Sequence, residues 1–129
     1  MRDEAEYFRS VLDNLTGGFL SVDLSGRVVY GNPTAGRILH IPMGAVAGRP
    51  YREALEPYPA LCDVIAAALE SQQVVHRAEV SVLHRDTEMI IGYSTLLVRN
   101  PAGENLGVGI IFQDLTLVLR RKAAGPKAG

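Results

Sequence analysis

Few side chains in this sequence stand where they could do chemistry together. Cys62 is the only cysteine, so no intrachain disulfide, Cys-x-x-Cys zinc site or c-type haem attachment can form. It lies in Ala60-Leu61-Cys62-Asp63-Val64, near the apolar face of a predicted helix, where a thiol serves as packing. His40 closes a short predicted helix, and a cation there suits the helix dipole. His76 and His84 share one face of a predicted strand with Ala78, Val80 and Val82. If that face is interior they are candidate ligands; as strand-end residues they reach water or a carbonyl, and the second reading is the expectation. Asp23 and Asp86 fall at predicted turns, where Asp is common for backbone reasons. There is no Gly-rich phosphate loop, no nucleophile motif and no metal-type spacing of His, Asp and Glu. An enzyme is therefore not expected. What stands out instead is Asp114-Leu115-Thr116, where an apolar strand runs straight into a helix-compatible tail. A side-chain oxygen at such a junction caps the free amides of the outgoing helix, and the expectation is that it also couples the sheet to that helix.

The bulk properties frame these residues without naming a function. A chain of 129 residues suits one domain. A hydrophobic fraction of 47% with 21% charged residues is that of a globular protein. The net charge of −1 gives no electrostatic grip on nucleic acid or on acidic lipid, so neither is an expected partner. No apolar run approaches the roughly 18 residues of a membrane span, and the acidic start Met1-Arg2-Asp3-Glu4 does not fit a signal peptide. With a single cysteine, the expected compartment is the reducing cytoplasm.

Periodicity supplies the elements that must position the junction. Phe8, Val11, Leu12 and Leu15 follow the i, i+3, i+4, i+7 stripe of an amphipathic helix over residues 3–15. Residues 19–24 and 27–30 form a predicted hairpin about Ser25-Gly26. Asn32 is placed to cap a short helix that begins at Pro33, since Pro lacks the amide that would go unpaired there. Loops follow over residues 40–58, with one helical turn near Tyr51, and a longer helix runs from Pro59 to Ser71. Three apolar segments, 74–85, 87–99 and 106–115, then read as an antiparallel meander. The sum is α+β: five antiparallel strands with helices gathered on one face. The divisions expected are a helical 1–16, a core over 17–116, and an exit-helix start with a disordered tail over 117–129.

This order of elements, with the residues in it, resembles a PAS domain, the sensory module of histidine kinases and related regulators. The stretch Leu12 to Asp23 looks like that family's lead-in helix and first strand. Leu24 to Ala35 is similar to its hairpin and Asn-capped helix, Gly48-Arg49-Pro50 loosely matches its Gly-containing loop, and Gly107 to Thr116 looks like its last strand and Asp-hydrophobe-Thr exit. The resemblance implies strand order 2-1-5-4-3, a ligand cleft between sheet and helices, and flanking helices that dimerise and carry the signal. Two of the family's cofactors find no matching residues. Its flavin photosensors use a Cys in an Asn-Cys-Arg-type motif and a Gln two residues before the terminal Asp. Cys62 lacks the motif and Gln113 is one residue before Asp114, which on a strand points it to the other face. Its haem-binding members use a His on the crossover helix, and residues 50–75 contain none.

The expected function is thus a cytoplasmic sensory domain that binds a small molecule and signals to an effector outside this chain, a kinase or a transcription regulator. The candidate apolar cleft is lined by Leu39, Ile65, Leu69, Met89, Ile91, Tyr93 and Ile110. No ligand or cofactor is named by the sequence. The segment 87–99 is apolar on both faces, with Met89, Ile91, Tyr93 and Leu97 on one and Ile90, Leu96 and Val98 on the other. Something must cover the second face, so a homodimer using Phe8, Val11, Leu12 and Leu15 is expected. The competing reading is a packed, ligand-free module that only holds two chains in register.

Overall fold

In the computed structural model, residues 6–7, 16–117 and 119 are described. The chain begins its core with β1 (Gly18–Asp23) and β2 (Val28–Gly31). Four helices follow: α1 (Pro33–Leu39), α2 (Met43–Val46), α3 (Tyr51–Ala54) and α4 (Pro59–Ser71). Three strands close it: β3 (Ala78–His84), β4 (Thr87–Arg99) and β5 (Asn105–Asp114). The five strands form one sheet in the order β2-β1-β5-β4-β3, every neighbouring pair antiparallel. This is the α+β fold the sequence implied.

Alternation decides the two faces. Leu20 and Val22 of β1 pair with Ile110 and Val108 of β5, while Ile91 and Met89 of β4 pair with Val80 and Val82 of β3. All but the half-buried Val80 are buried, and they meet Leu39 of α1, Leu61, Cys62, Ile65 and Ala68 of α4, and Tyr51, Leu55 and Tyr58 of the crossover in a single core. α4 buries Leu61, Cys62, Ile65 and Ala68, positions three and four apart, the stripe of a helix laid on a sheet. It ends at Gln72, whose backbone turns left-handed (φ 55°) and donates its N–H to the Ala68 carbonyl.

Two segments depart from the sequence reading. The third strand begins at Ala78, not at residue 74. Residues 72–77 still run beside β4, but hydroxyls replace part of the ladder: Val75 N–H donates to Thr95 Oγ1 (2.8 Å) and Arg77 N–H to Ser94 Oγ (3.0 Å). His76 accordingly lies outside the strand and is exposed. Residues 40–58 hold a second helical turn, α2, besides the expected one, because Met43 and Val46 both reach the core.

Candidate functional site

The exit from the sheet is built from three residues of β5 and its continuation. Asp114 ends β5, and its Oδ1 accepts from Thr116 N (2.9 Å) and from Thr116 Oγ1 (2.6 Å). Helical backbone starts at Thr116, with Leu119 N–H donating to the Leu115 carbonyl (2.9 Å). The joint is also tied sideways into the middle of the sheet. Leu115 N–H donates to the Ile90 carbonyl (2.8 Å), and Ile90 N–H donates to Thr116 Oγ1 (2.9 Å). The Thr116 hydroxyl therefore works twice, giving its proton to Asp114 and its lone pair to β4. On the outer face the Leu115 side chain lies across Gly92, where an added Cβ would come within 2.4 Å of Leu115 Cδ1.

Against the neighbouring strand, where Gly17 and Gly18 run beside Phe112 and Gln113 of β5, Asn32 fixes the start of α1. It is fully buried, its Oδ1 accepts from Ala35 N and Phe19 N (both 2.9 Å), and its Nδ2 donates to the Gly17 carbonyl (3.1 Å). One amide thus caps a helix and stitches it to β1. Asp23 organises the β1–β2 turn by accepting from Arg27 N, Ser25 N and Ser25 Oγ. These hydrogen bonds, first the one from Arg27, hold its carboxyl below the ordinary value of 3.8.

The seven residues expected to line a cleft do come together, in the core itself. Leu39, Ile65, Met89, Ile91 and Ile110 are buried in one cluster, with Leu69 and Tyr93 packed against it. The openings lie at its margins. A groove of about 520 Å³ runs over the outer sheet face past Arg77, Glu79, Ser94, Ile111, Gln113 and Leu115. A smaller recess of about 130 Å³ sits where Val64 and Ala68 of α4 approach Val75, Tyr93 and Thr95. Gln113 is exposed, and Cys62 is buried with its thiol pushed up by desolvation. The proposed dimer stripe Phe8, Val11, Leu12 and Leu15 falls outside the described residues. Among the described residues no three His, Cys, Asp or Glu side chains converge to hold a metal, and no helix is long and apolar enough to cross a membrane.

One constellation escaped the sequence reading. His40 at the end of α1 stacks on His84 at the end of β3, ring centroids 4.1 Å apart and planes 12° from parallel. Tyr58, just ahead of α4, donates its hydroxyl proton to the Leu39 carbonyl (2.5 Å) and stands 3.1 Å from His84 Nδ1. Nothing in the spacing of His40 and His84 signals this; only the fold brings the two ends together. The stack borders a groove of about 410 Å³ whose far wall is Asp114, Thr116 and Leu117.

The fold is that of a small α+β module, and comparison with known proteins gives its family. The PAS fold model matches residues 12–120, and the chain belongs to that family. It is a PAS sensory domain of the kind found in signalling proteins. The signal transduction histidine-protein kinase AtoS of Escherichia coli (strain K12) is 27% identical over 109 residues, which cover 82% of this chain and 17% of the kinase. The chain thus spans only a small part of that relative's length. The PAS domain of BvgS from Bordetella pertussis superposes with a TM-score of 0.70 at 19% identity, covering 98% of this chain and 99% of that one. VqmA of Vibrio cholera, solved as a complex with ligand and DNA, gives 0.66 at 17% identity over 97% and 59% of the two chains. At these identities the two structures establish the fold alone.

Proposed function

We propose that this chain is a cytoplasmic PAS sensor that admits a small apolar ligand between sheet and helices and reports it to an effector outside the chain. The observation that carries the reading is the joint at Ile90, where strand β4 holds both Leu115 and Thr116 of the exit by hydrogen bonds. Met89 and Ile91, the neighbours of Ile90, point into the core on either side of it. A ligand that displaces Leu39, Ile65, Leu69, Met89, Ile91, Tyr93 and Ile110 must therefore move the strand that sets the exit. Differential affinity for the displaced and undisplaced strand would bias the outgoing helix. The relative AtoS is a histidine kinase and VqmA was solved with ligand and DNA, so the effector proposed is a kinase or a transcription regulator. The boundaries proposed are a dimerising 1–16, a core over 17–116 and an exit from 117.

A second reading is favoured by one observation, the filled interior. The cleft residues already form the core, so the module would hold two chains in register without a ligand, using Phe8, Val11, Leu12 and Leu15. A native mass spectrum of freshly purified protein separates the two. Added mass that vanishes on denaturation supports the sensor; a bare dimer that also gains no protection with apolar ligand libraries supports the packed module.

A further inference from the structure

The His40–His84 stack is used by neither reading above, yet it lines the same groove as the exit Asp114–Thr116. The chemistry of its atoms is fixed by Tyr58. A phenol has one proton, and Tyr58 gives it to the Leu39 carbonyl; toward His84 Nδ1 its oxygen can only accept. His84 therefore carries hydrogen on Nδ1, and Nε2 is the atom that gains or loses a proton. A neutral imidazole stacks on its neighbour without penalty, whereas two imidazolium rings face to face repel.

We propose that the His40–His84 stack is a proton-operated latch that holds the β3–β4 hairpin to the end of α1 while His84 is neutral and releases it when His84 is protonated, loosening the exit at Asp114–Thr116. The proposal rests on the exit joint being the output, and needs no ligand.

The surrounding charges set the direction of the response. His40 faces His84 from the end of α1, Tyr58 from the turn before α4, and Arg85, Glu88 and Asp114 line the groove from the hairpin and from β5. Arg37 of α1 is turned back to Thr34 Oγ1 (2.8 Å). Desolvation, His40 and Arg85, in that order, lower His84 below its ordinary 6.5. Its neutral form is thus the folded form, and the hold it provides is complete above 6.5 and lost as pH falls through the lowered value. Once cationic, His84 is repelled by His40 and Arg85, while the Glu88 carboxylate is turned to Ser81 Oγ (2.7 Å) on the other face of the hairpin and offers no counter-charge. The released hairpin includes β4, whose Ile90 accepts from Leu115 N–H and donates to Thr116 Oγ1, so its movement pulls on the cap that Asp114 makes with Thr116 N and Oγ1.

The test is an NMR titration of the full chain from pH 8 to 5, following both imidazoles and the Thr116 amide. The wild type should show His84 titrating below 6.5, with the Thr116 amide moving at the same midpoint. His40→Gln should raise the His84 midpoint toward the ordinary value, and His84→Phe, which keeps an aromatic ring to stack, should leave the Thr116 amide still over that range. The proposal is overturned if His84 keeps its midpoint in His40→Gln, or if the Thr116 amide still moves over the same pH range in His84→Phe. A ligand-free native mass spectrum leaves this titration unchanged, so failure of the sensor reading and failure of the latch are separate results.

Discussion

At the scale of single residues, Asn32 joins a helix, a strand and a loop through one buried side chain. Its amide is buried and joins Ala35, Phe19 and Gly17, so removing it strands backbone groups that water cannot reach. Asn32→Ala should cost about 3 kcal/mol in urea unfolding, a cap loss added to unpaired buried amides. Asn32→Asp keeps the acceptor but not the donor to Gly17, and should recover only part of that; full recovery would mean the Gly17 bond contributes nothing. Asp23 offers a pH test. Because its folded carboxyl lies below 3.8, its contribution is present above that value and is lost as pH falls through the lowered one. Asp23→Asn, which retains an oxygen acceptor without titrating, should flatten the stability profile below pH 3.8; an unchanged acid slope would assign the loss to other groups. The Asn32-Pro33 pair was legible because a cap acts on its immediate neighbours. The His40–His84 stack was not, because it joins the ends of two elements distant in sequence.

Among the elements, the close approach of β1 and β5 and the tie of β4 to the exit are what distinguish this sheet. A Cβ on Gly107 would meet the Val22 carbonyl oxygen at 2.1 Å and Asp23 Cα at 2.9 Å. Those are backbone atoms of the neighbouring strand and cannot swing aside, so Gly107→Ala should destabilise by about 2 kcal/mol; a neutral result would show that β1 can shift outward. Thr116→Val removes both uses of the hydroxyl. Hydrogen exchange at the Ile90 amide should accelerate at least tenfold while Thr116→Ser stays near wild type, the cost of an unpaired amide being about 1–2 kcal/mol. Equal exchange in both variants would mean that the joint does not depend on this hydroxyl. Strand limits were readable wherever alternation ended at a turn residue, as at Asp23 and Asp86. They failed at residues 74–77, where the apolar Val74 and Val75 look like strand but the N–H groups of Val75 and Arg77 go to the Thr95 and Ser94 hydroxyls, leaving one backbone bond, from Thr95 N–H to the Val75 carbonyl. They failed again at α2, since two core-facing side chains in four residues are too few to show a period.

For the whole molecule, the question is what meets the outer face of the sheet. Burial is one-sided: the inner face is packed by α1 and α4, while Leu83 (61% exposed) and Ile111 (39%) remain open on the other. Ile90, Leu96 and Val98 on the same side are only partly covered. An antiparallel sheet tolerates one wet face, but such a face is ordinarily polar. Here it carries apolar residues beside the groove at Ile111 and Leu115, and contiguous apolar surface is the mark of an interaction site. The stripe Phe8, Val11, Leu12 and Leu15 has the spacing to cover it, from the same chain or from a second copy. If the proposed dimer forms through this stripe, deleting residues 1–15 should give a monomer or an aggregate by light scattering. Charged substitution of Ile111 in the chain of 129 residues should do the same while the unfolding free energy of the monomer stays within about 0.5 kcal/mol, because an exposed side chain contributes little to the core. An unchanged dimer in both proteins would place the contact elsewhere and leave this apolar face to a partner of another kind.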